Sequence, residues 1–154
     1  MRVFLRKQVR KPTVDGRVVK RFVRGVLRGE GVTRGAVTVV LTGDAAIREL
    51  NRRFRNIDRA TDVLAFPLGE EDEEGGPYLG DVIVSLERAV DQAPRFHNDA
   101  EEELGRLIAH GLLHLLGYDH HSPWDGRRMK AAERRALEFL EPGSLLGEGG
   151  SALA

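Results

Sequence analysis

The histidine spacing in residues 109–121 (AHGLLHLLGYDHH) constrains this chain more than any other feature, because it calls for a helix followed by a tight reversal. His110 and His114 are four residues apart, which on an α-helix places them about 40° apart around the axis and one turn apart along it. Both imidazoles then reach one point. Gly117 is the residue type that most readily ends a helix in the left-handed conformation. Tyr118 and Asp119 form a short reversal that brings His120 back, giving H-x3-H-x5-H.

Imidazole nitrogens suit zinc, and three protein ligands with one open position is the arrangement of catalytic rather than structural sites. The expected cofactor is therefore one zinc ion on His110, His114 and His120. Structural zinc sites are usually cysteine-rich, and this chain has no cysteine. A closed site with His121 as fourth ligand is disfavoured, since adjacent residues rarely both point at one ion. Gly111 occupies the position where H-E-x-x-H metalloproteases carry their glutamate base, so a peptidase mechanism lacks its base. Glycine inside a helix costs roughly 1 kcal/mol relative to alanine. Either a bulky substrate such as a phosphodiester approaches the backbone here, or the helix packs unusually close to its neighbour.

A chain of 154 residues fits one domain with one core. Its apolar runs are too short to span a bilayer and the N-terminal MRVFLRKQVRK has no signal-like apolar segment, so a cytoplasmic protein with no membrane partner is expected. Net charge is zero overall but strongly divided. Residues 1–60 carry 16 Lys and Arg against 5 Asp and Glu, leaving 8 against 19 in the remainder. The basic half either faces a phosphate backbone or pairs with the acidic half across the fold.

Along the chain, Val3, Leu5 and Val9 alternate with basic residues as in an edge strand. Asp15 caps a helix over about 16–29 with Val18, Phe22, Val23, Val26 and Leu27 on one face. Residues 36–41 (AVTVVL) read as a buried strand. Asp44 is expected to cap a second helix, with Ile47, Leu50 and Phe54 inward and Arg48, Arg52 and Arg55 forming a basic ridge on its flank. VLAF at 63–66 reads as a central strand, residues 69–77 as an exposed acidic loop, and LGDVIVS at 79–85 as another strand in which Gly80 marks a close approach or a bulge. A short helix over 86–93 breaks near Pro94. Asn98 and Glu101 are expected to form a capping box for the histidine helix, on which His110 and His114 border the stripe of Leu104, Ile108 and Leu115. A last helix starts at Ser122, Pro123 and Asp125 with Met129, Ala132, Ala136 and Leu140 inward. Residues 1–141 make the domain, and 142–154 are expected as a disordered tail. The order β-α-β-α-β-β-α-α-α predicts an α+β fold, a mixed sheet with helices packed on it.

The run HGLLHLLGYDH, with Arg55, TDVLAFP at 61–67 and LGD at 79–81, resembles the YbeY family of endoribonucleases, the bacterial ribosomal RNA maturation factors. Similarity is clearest from about residue 37 to 140. The resemblance implies a four-stranded mixed sheet beside a metal cleft and cleavage of single-stranded RNA in ribosomal RNA processing. Ribosomal RNA and the small ribosomal subunit are the implied partners. It also places the family's functionally important arginine at Arg55, whose planar fork suits phosphate. Asp81 matches the LGD element and is a candidate catalytic residue, orienting a histidine or water as a carboxylate behind the metal ligands. Asp119 is an alternative for that role, and either side chain could instead cap local backbone. Zinc would activate water or assist phosphoryl transfer. A metal hydrolase with another substrate and a non-catalytic ribosome-assembly factor with a structural metal are the competing readings.

Overall fold

The computed structural model describes residues 1–71, 76–119, 121–141 and 145–146. Four strands, β1 (Arg2–Lys7), β2 (Ala36–Thr42), β3 (Val63–Glu71) and β4 (Pro77–Ser85), form one sheet in the order β1-β2-β4-β3. β1 pairs parallel with β2 and β2 with β4, whereas β3 pairs antiparallel with β4. Among the described residues five α-helices accompany them, α1 (Gly16–Gly29), α2 (Asp44–Arg55), α3 (Leu86–Gln92), α4 (Ala100–Leu115) and α5 (Pro123–Leu137), with a 3-10 turn at Ala93–Phe96. This is the expected α+β fold with a mixed four-stranded sheet. Among the described residues no helix is long and apolar enough to cross a membrane.

Strand alternation divides the helices between the two faces of the sheet. Val39, Leu41, Val82 and Val84 point to one face, where α1, α3 and α4 bury Phe22, Leu27, Leu86, Leu104, Ile108 and Leu112 in the main core. Ile83 and Leu64 point to the other face, where α2 contributes Ile47 and partly buried Leu50 to a smaller cluster. Outside α4, α5 seats Met129 and Ala132 against Leu113. The expected inward positions Met129, Ala132 and Ala136 are all buried.

α1 has the expected bounds, and the Asp15 carboxylate accepts from the amides of Arg17 and Val18. Other ends differ from the sequence reading. Gly43, not Asp44, precedes α2, and it has no side chain to cap with. The Asp44 carboxylate instead accepts from Ser85 Oγ at 2.6 Å and from the Arg88 guanidinium at 3.1 and 3.2 Å, tying α2 to the end of β4 and to α3. The capping box of α4 is one residue later than expected, formed by Asp99 and Glu102. This shift frees Asn98 to donate to buried Glu103.

β3 is an edge strand, not the central one expected from VLAF, and it runs through Pro67 to Glu71. Pro67 is tolerated because it has no second neighbour to donate to and because the register with β4 shifts between Pro67 and Glu70. Part of the acidic segment read as loop is thus strand on both sides, and its residues 72–75 lie outside the described residues. At Gly80, φ is 136° and a Cβ would stand 2.2 Å from the Phe66 carbonyl oxygen, so the close approach there is to the neighbouring strand and not to a ligand. Of the segment 142–154 expected as a tail, the structure describes only Leu145 and Leu146. Both are buried, with the Leu145 carbonyl accepting from the Asp15 amide and the Leu146 amide donating to Glu101.

Glu103 is a fully buried carboxylate in α4. Arg106 donates to it bidentately at 2.8 Å through both contacts, and Gln92 and Asn98 donate as well. Burial raises its proton affinity, but the hydrogen bonds from Arg106, Gln92 and Asn98 and the guanidinium charge together hold it below the ordinary glutamate range. A depressed folded-state value means that this group's contribution is complete above the unfolded value and is lost as pH falls through the folded one. Urea unfolding measured from pH 7 to pH 3 should therefore show a steeper acid-side loss of stability in the native protein than in Glu103→Gln. Glu103→Gln should itself be less stable at pH 7 by about 1.5–3 kcal/mol. Parallel acid limbs in the two proteins would show that Glu103 is not held ionised.

Candidate metal centre and active-site cleft

Positions i and i+4 on α4 bring His110 and His114 to the border of the core, where both are partly buried. Their rings meet edge to face with centroids 4.6 Å apart, and the two Nε2 atoms are 3.0 Å from each other. Gly117 ends the helix at φ 100°, with its amide donating to the His114 carbonyl and that of Tyr118 to Leu113. Tyr118 is held in turn through its hydroxyl on Glu30. His120, the expected third ligand, lies outside the described residues, as does any statement of its distance to the pair. Among the described residues no group of three His, Cys, Asp or Glu side chains is placed to hold a metal.

The other nitrogen of His110 is fixed from α5. Nδ1 is 2.6 Å from Glu133 Oε1, and both side chains are largely buried, at 20% and 13% exposure. A carboxylate accepts only, so Nδ1 carries the hydrogen and the Nε2 lone pair of His110 is left to face His114. This is the carboxylate-behind-histidine arrangement that orients a ligand and raises its basicity. The sequence reading assigned that role to Asp81 or Asp119 and missed Glu133. The signal was present: Glu133 is four residues after Met129 and borders the inward stripe of α5, where a carboxylate needs a buried partner.

An open cleft of about 380 Å³ adjoins the histidine pair. Val63, Ala65 and Pro67 of β3 line it with Gly111, His110 and His114 of α4, and Arg55, Thr61 and Asp62 complete its wall. Arg55 is the last residue of α2, on the opposite side of the sheet, and enters because the chain turns around the free edge of β3 before strand 63–71 begins. Asp62 is anchored from behind, its Oδ2 accepting from Gln92 at 3.2 Å, the same amide that donates to Glu103. Gly111 settles the choice between close packing and substrate access in favour of packing. A Cβ there would stand 2.4 Å from Val82 Cγ1 and 3.2 Å from Val63 Cγ2.

The remaining candidates fall elsewhere. Asp81 pairs with Phe66 and Thr38 on the face away from α4, because its neighbour Val82 is the residue that meets Gly111. Its carboxylate accepts from the Tyr78 hydroxyl at 2.8 Å, and it does not line the cleft. Asp119 accepts from the His121 amide at 3.2 Å, a local turn contact, and the His121 side chain is exposed. Of the expected ridge on α2, Arg48 pairs with Asp58 and Arg52 with Glu49, so Arg55 alone of the three reaches the cleft.

Can the pair accept a metal? Two nitrogens bound to one tetrahedral ion at ~2.0–2.1 Å are about 3.3 Å apart, close to the 3.0 Å separation here. The donor chemistry, imidazole with a carboxylate behind it, fits as well. Nitrogen-15 NMR of metal-free protein should find His110 protonated at Nδ1 and unprotonated at Nε2, with this preference lost in Glu133→Leu. A His110 ring protonated at Nε2 in the native protein would contradict the assignment.

The family model Endoribonuclease YbeY matches residues 6–141. A relative named Endoribonuclease YbeY in Anaeromyxobacter sp. (strain Fw109-5) is 51% identical over 120 residues, covering 77% of this chain and 62% of the relative. One of the same name in Myxococcus xanthus is 48% identical over 103 residues, covering 66% of this chain and 35% of that protein. The chain thus spans less than two thirds of either relative. A third, from Aquifex aeolicus, is 42% identical over 119 residues and 77% of each chain. A solution structure of a Thermotoga maritima protein shares the fold, with a TM-score of 0.63 and 30% identity over 90% of this chain and 88% of that one. The match across nearly all of the chain establishes that it belongs to the endoribonuclease YbeY family.

Proposed function

We propose that this protein is a zinc-dependent endoribonuclease that cuts single-stranded RNA in ribosomal RNA processing, working in the cytoplasm on the small ribosomal subunit. The observation that carries the reading is the His110–His114 pair, held by Glu133 and opening onto a cleft that Arg55 also lines. Family membership supports an RNA substrate, since the relatives bear the name endoribonuclease.

In this reading His110 and His114 would hold one zinc ion, with His120 as the third ligand. Zinc bound by these residues would supply Lewis acidity and activation of the nucleophile. The chain's own groups do the rest. Glu133 keeps the Nδ1 hydrogen of His110 and so keeps Nε2 available. Arg55 binds the non-bridging oxygens of the scissile phosphate through its planar fork, favouring the state in which their charge is greatest. Asp62, held by Gln92, lines the cleft wall beside Arg55. Gly111 lets α4 sit low enough that the ligands open sideways over β3 instead of being buried beneath it.

Labelled single-stranded RNA, with casein as a control substrate, tests the reading with and without chelator. Chelator-sensitive cleavage of RNA is expected, with casein untouched. His114→Ala should lose zinc and RNA cleavage together. Arg55→Glu should keep its zinc and cleave about 10²–10³-fold more slowly. Full activity in Arg55→Glu would remove Arg55 from the mechanism, and cleavage indifferent to chelator would remove the metal.

A further inference from the structure

Phe54 occupies the middle of the inward stripe of α2, in line with Ile47, Leu50 and Asn51, yet it is 62% exposed. The helix runs past the last strand able to cover it. Its ring meets the edge of the sheet in a T-shaped contact with Phe66 at 5.6 Å, and the Arg53 guanidinium lies 5.6 Å from its centroid. Leu68 and Ile57, which follow Phe66 and Phe54 in sequence, are 51% and 41% exposed. Phe54 and Phe66 therefore form an exposed aromatic pair at the uncovered edge of β3.

Its position relative to the cleft is fixed by adjacency. Arg55 follows Phe54 and lines the cleft, while Ala65 and Pro67, on either side of Phe66, line it from the floor. The patch and the cleft are thus the two sides of one edge strand. We propose that Phe54, backed by Phe66, is a stacking platform for an unpaired base of the RNA strand whose phosphate is bound at Arg55. The inference rests on the RNA reading of that cleft.

Charge selects a nucleic acid over an apolar protein surface as the occupant. The Arg53 guanidinium lies against the ring, Arg55 follows it in the chain and lines the cleft, and among the described residues Arg55 is in no ion pair. A polyanion is attracted to such a patch, whereas an apolar partner would desolvate those cations. Aromatic faces and guanidinium planes both stack on bases with little regard to sequence. A base already paired in a duplex cannot turn onto Phe54, so the platform also provides selection for single strands.

Steady-state cleavage and equilibrium binding of a labelled single-stranded RNA, compared among native protein, Phe54→Ala, Phe54→Leu and Phe54→Trp, test this. A second RNA abasic at each nucleotide flanking the cut in turn completes the set, and circular dichroism confirms that the variants are folded. Phe54→Ala and Phe54→Leu should each raise KM and Kd about tenfold, with kcat changed less. Phe54→Trp should remain within about twofold of native. One abasic position should erase the difference between native and Phe54→Ala. Native affinity in Phe54→Leu, or no abasic position that matters, would overturn the platform and leave a protein-docking surface as the use of the patch. Those results leave chelator-sensitive cleavage intact, whereas native protein that neither binds nor cuts RNA would overturn both this inference and the reading beneath it.

Discussion

The contact on which the site depends is between a residue without a side chain and a valine. Gly111 sits where any Cβ would press into Val82 and Val63, so α4 lies against β3 and β4 at a distance no other residue permits. One residue before it and three after it are the histidines. Lowering the helix at Gly111 places their rings at the level of the edge strand, where they face solvent over Val63, Ala65 and Pro67. A helix standing higher would keep the 3.6-residue geometry of the pair but separate it from Arg55, which comes from the far side of the sheet.

Rigidity reaches the pair from two directions. Behind His110, Glu133 on α5 fixes the ring nitrogen that points away from the cleft, and α5 is itself locked to α4 through Leu113, Met129 and Ala132. Behind Asp62, Gln92 connects the cleft wall to Glu103, buried and ionised against Arg106. A buried ion pair of this kind is weak evidence for stability, because desolvation offsets much of the attraction. Its effect here is geometric: it sets α3, α4 and the residue preceding β3 in fixed relation, so the two walls of the cleft cannot drift independently.

Much of this was legible from the chain, and what was not has physical reasons. The i, i+4 histidines, Gly117 at positive φ and the helix over 16–29 are local features, fixed by a few neighbouring residues. VLAF was misread as central because an apolar run reports burial of a strand's two faces, and α2 and α4 do cover both; it carries no information about whether a second strand lies alongside. Asp81 was placed at the site because a motif gives position along a strand but not which face is turned to the ligand, and a single-residue alternation put it on the α2 side. Phe54 kept the helical period yet overshot the sheet, which no periodicity can show. Glu133 needed the packing of α5 on α4 before its partner could be known. His120 and the segments 72–75, 142–144 and 147–154 fall outside the described residues.

The central claim is that His110 and His114 present their Nε2 atoms to one metal ion. X-ray absorption at the zinc edge, on protein loaded with one equivalent of zinc, tests it most directly. Imidazole nitrogens at ~2.0–2.1 Å are expected, with the outer-shell scattering of at least two rings, and loss of that signature when both histidines are replaced by alanine. A shell of oxygen atoms alone, or an imidazole signature that survives the double replacement, would contradict it.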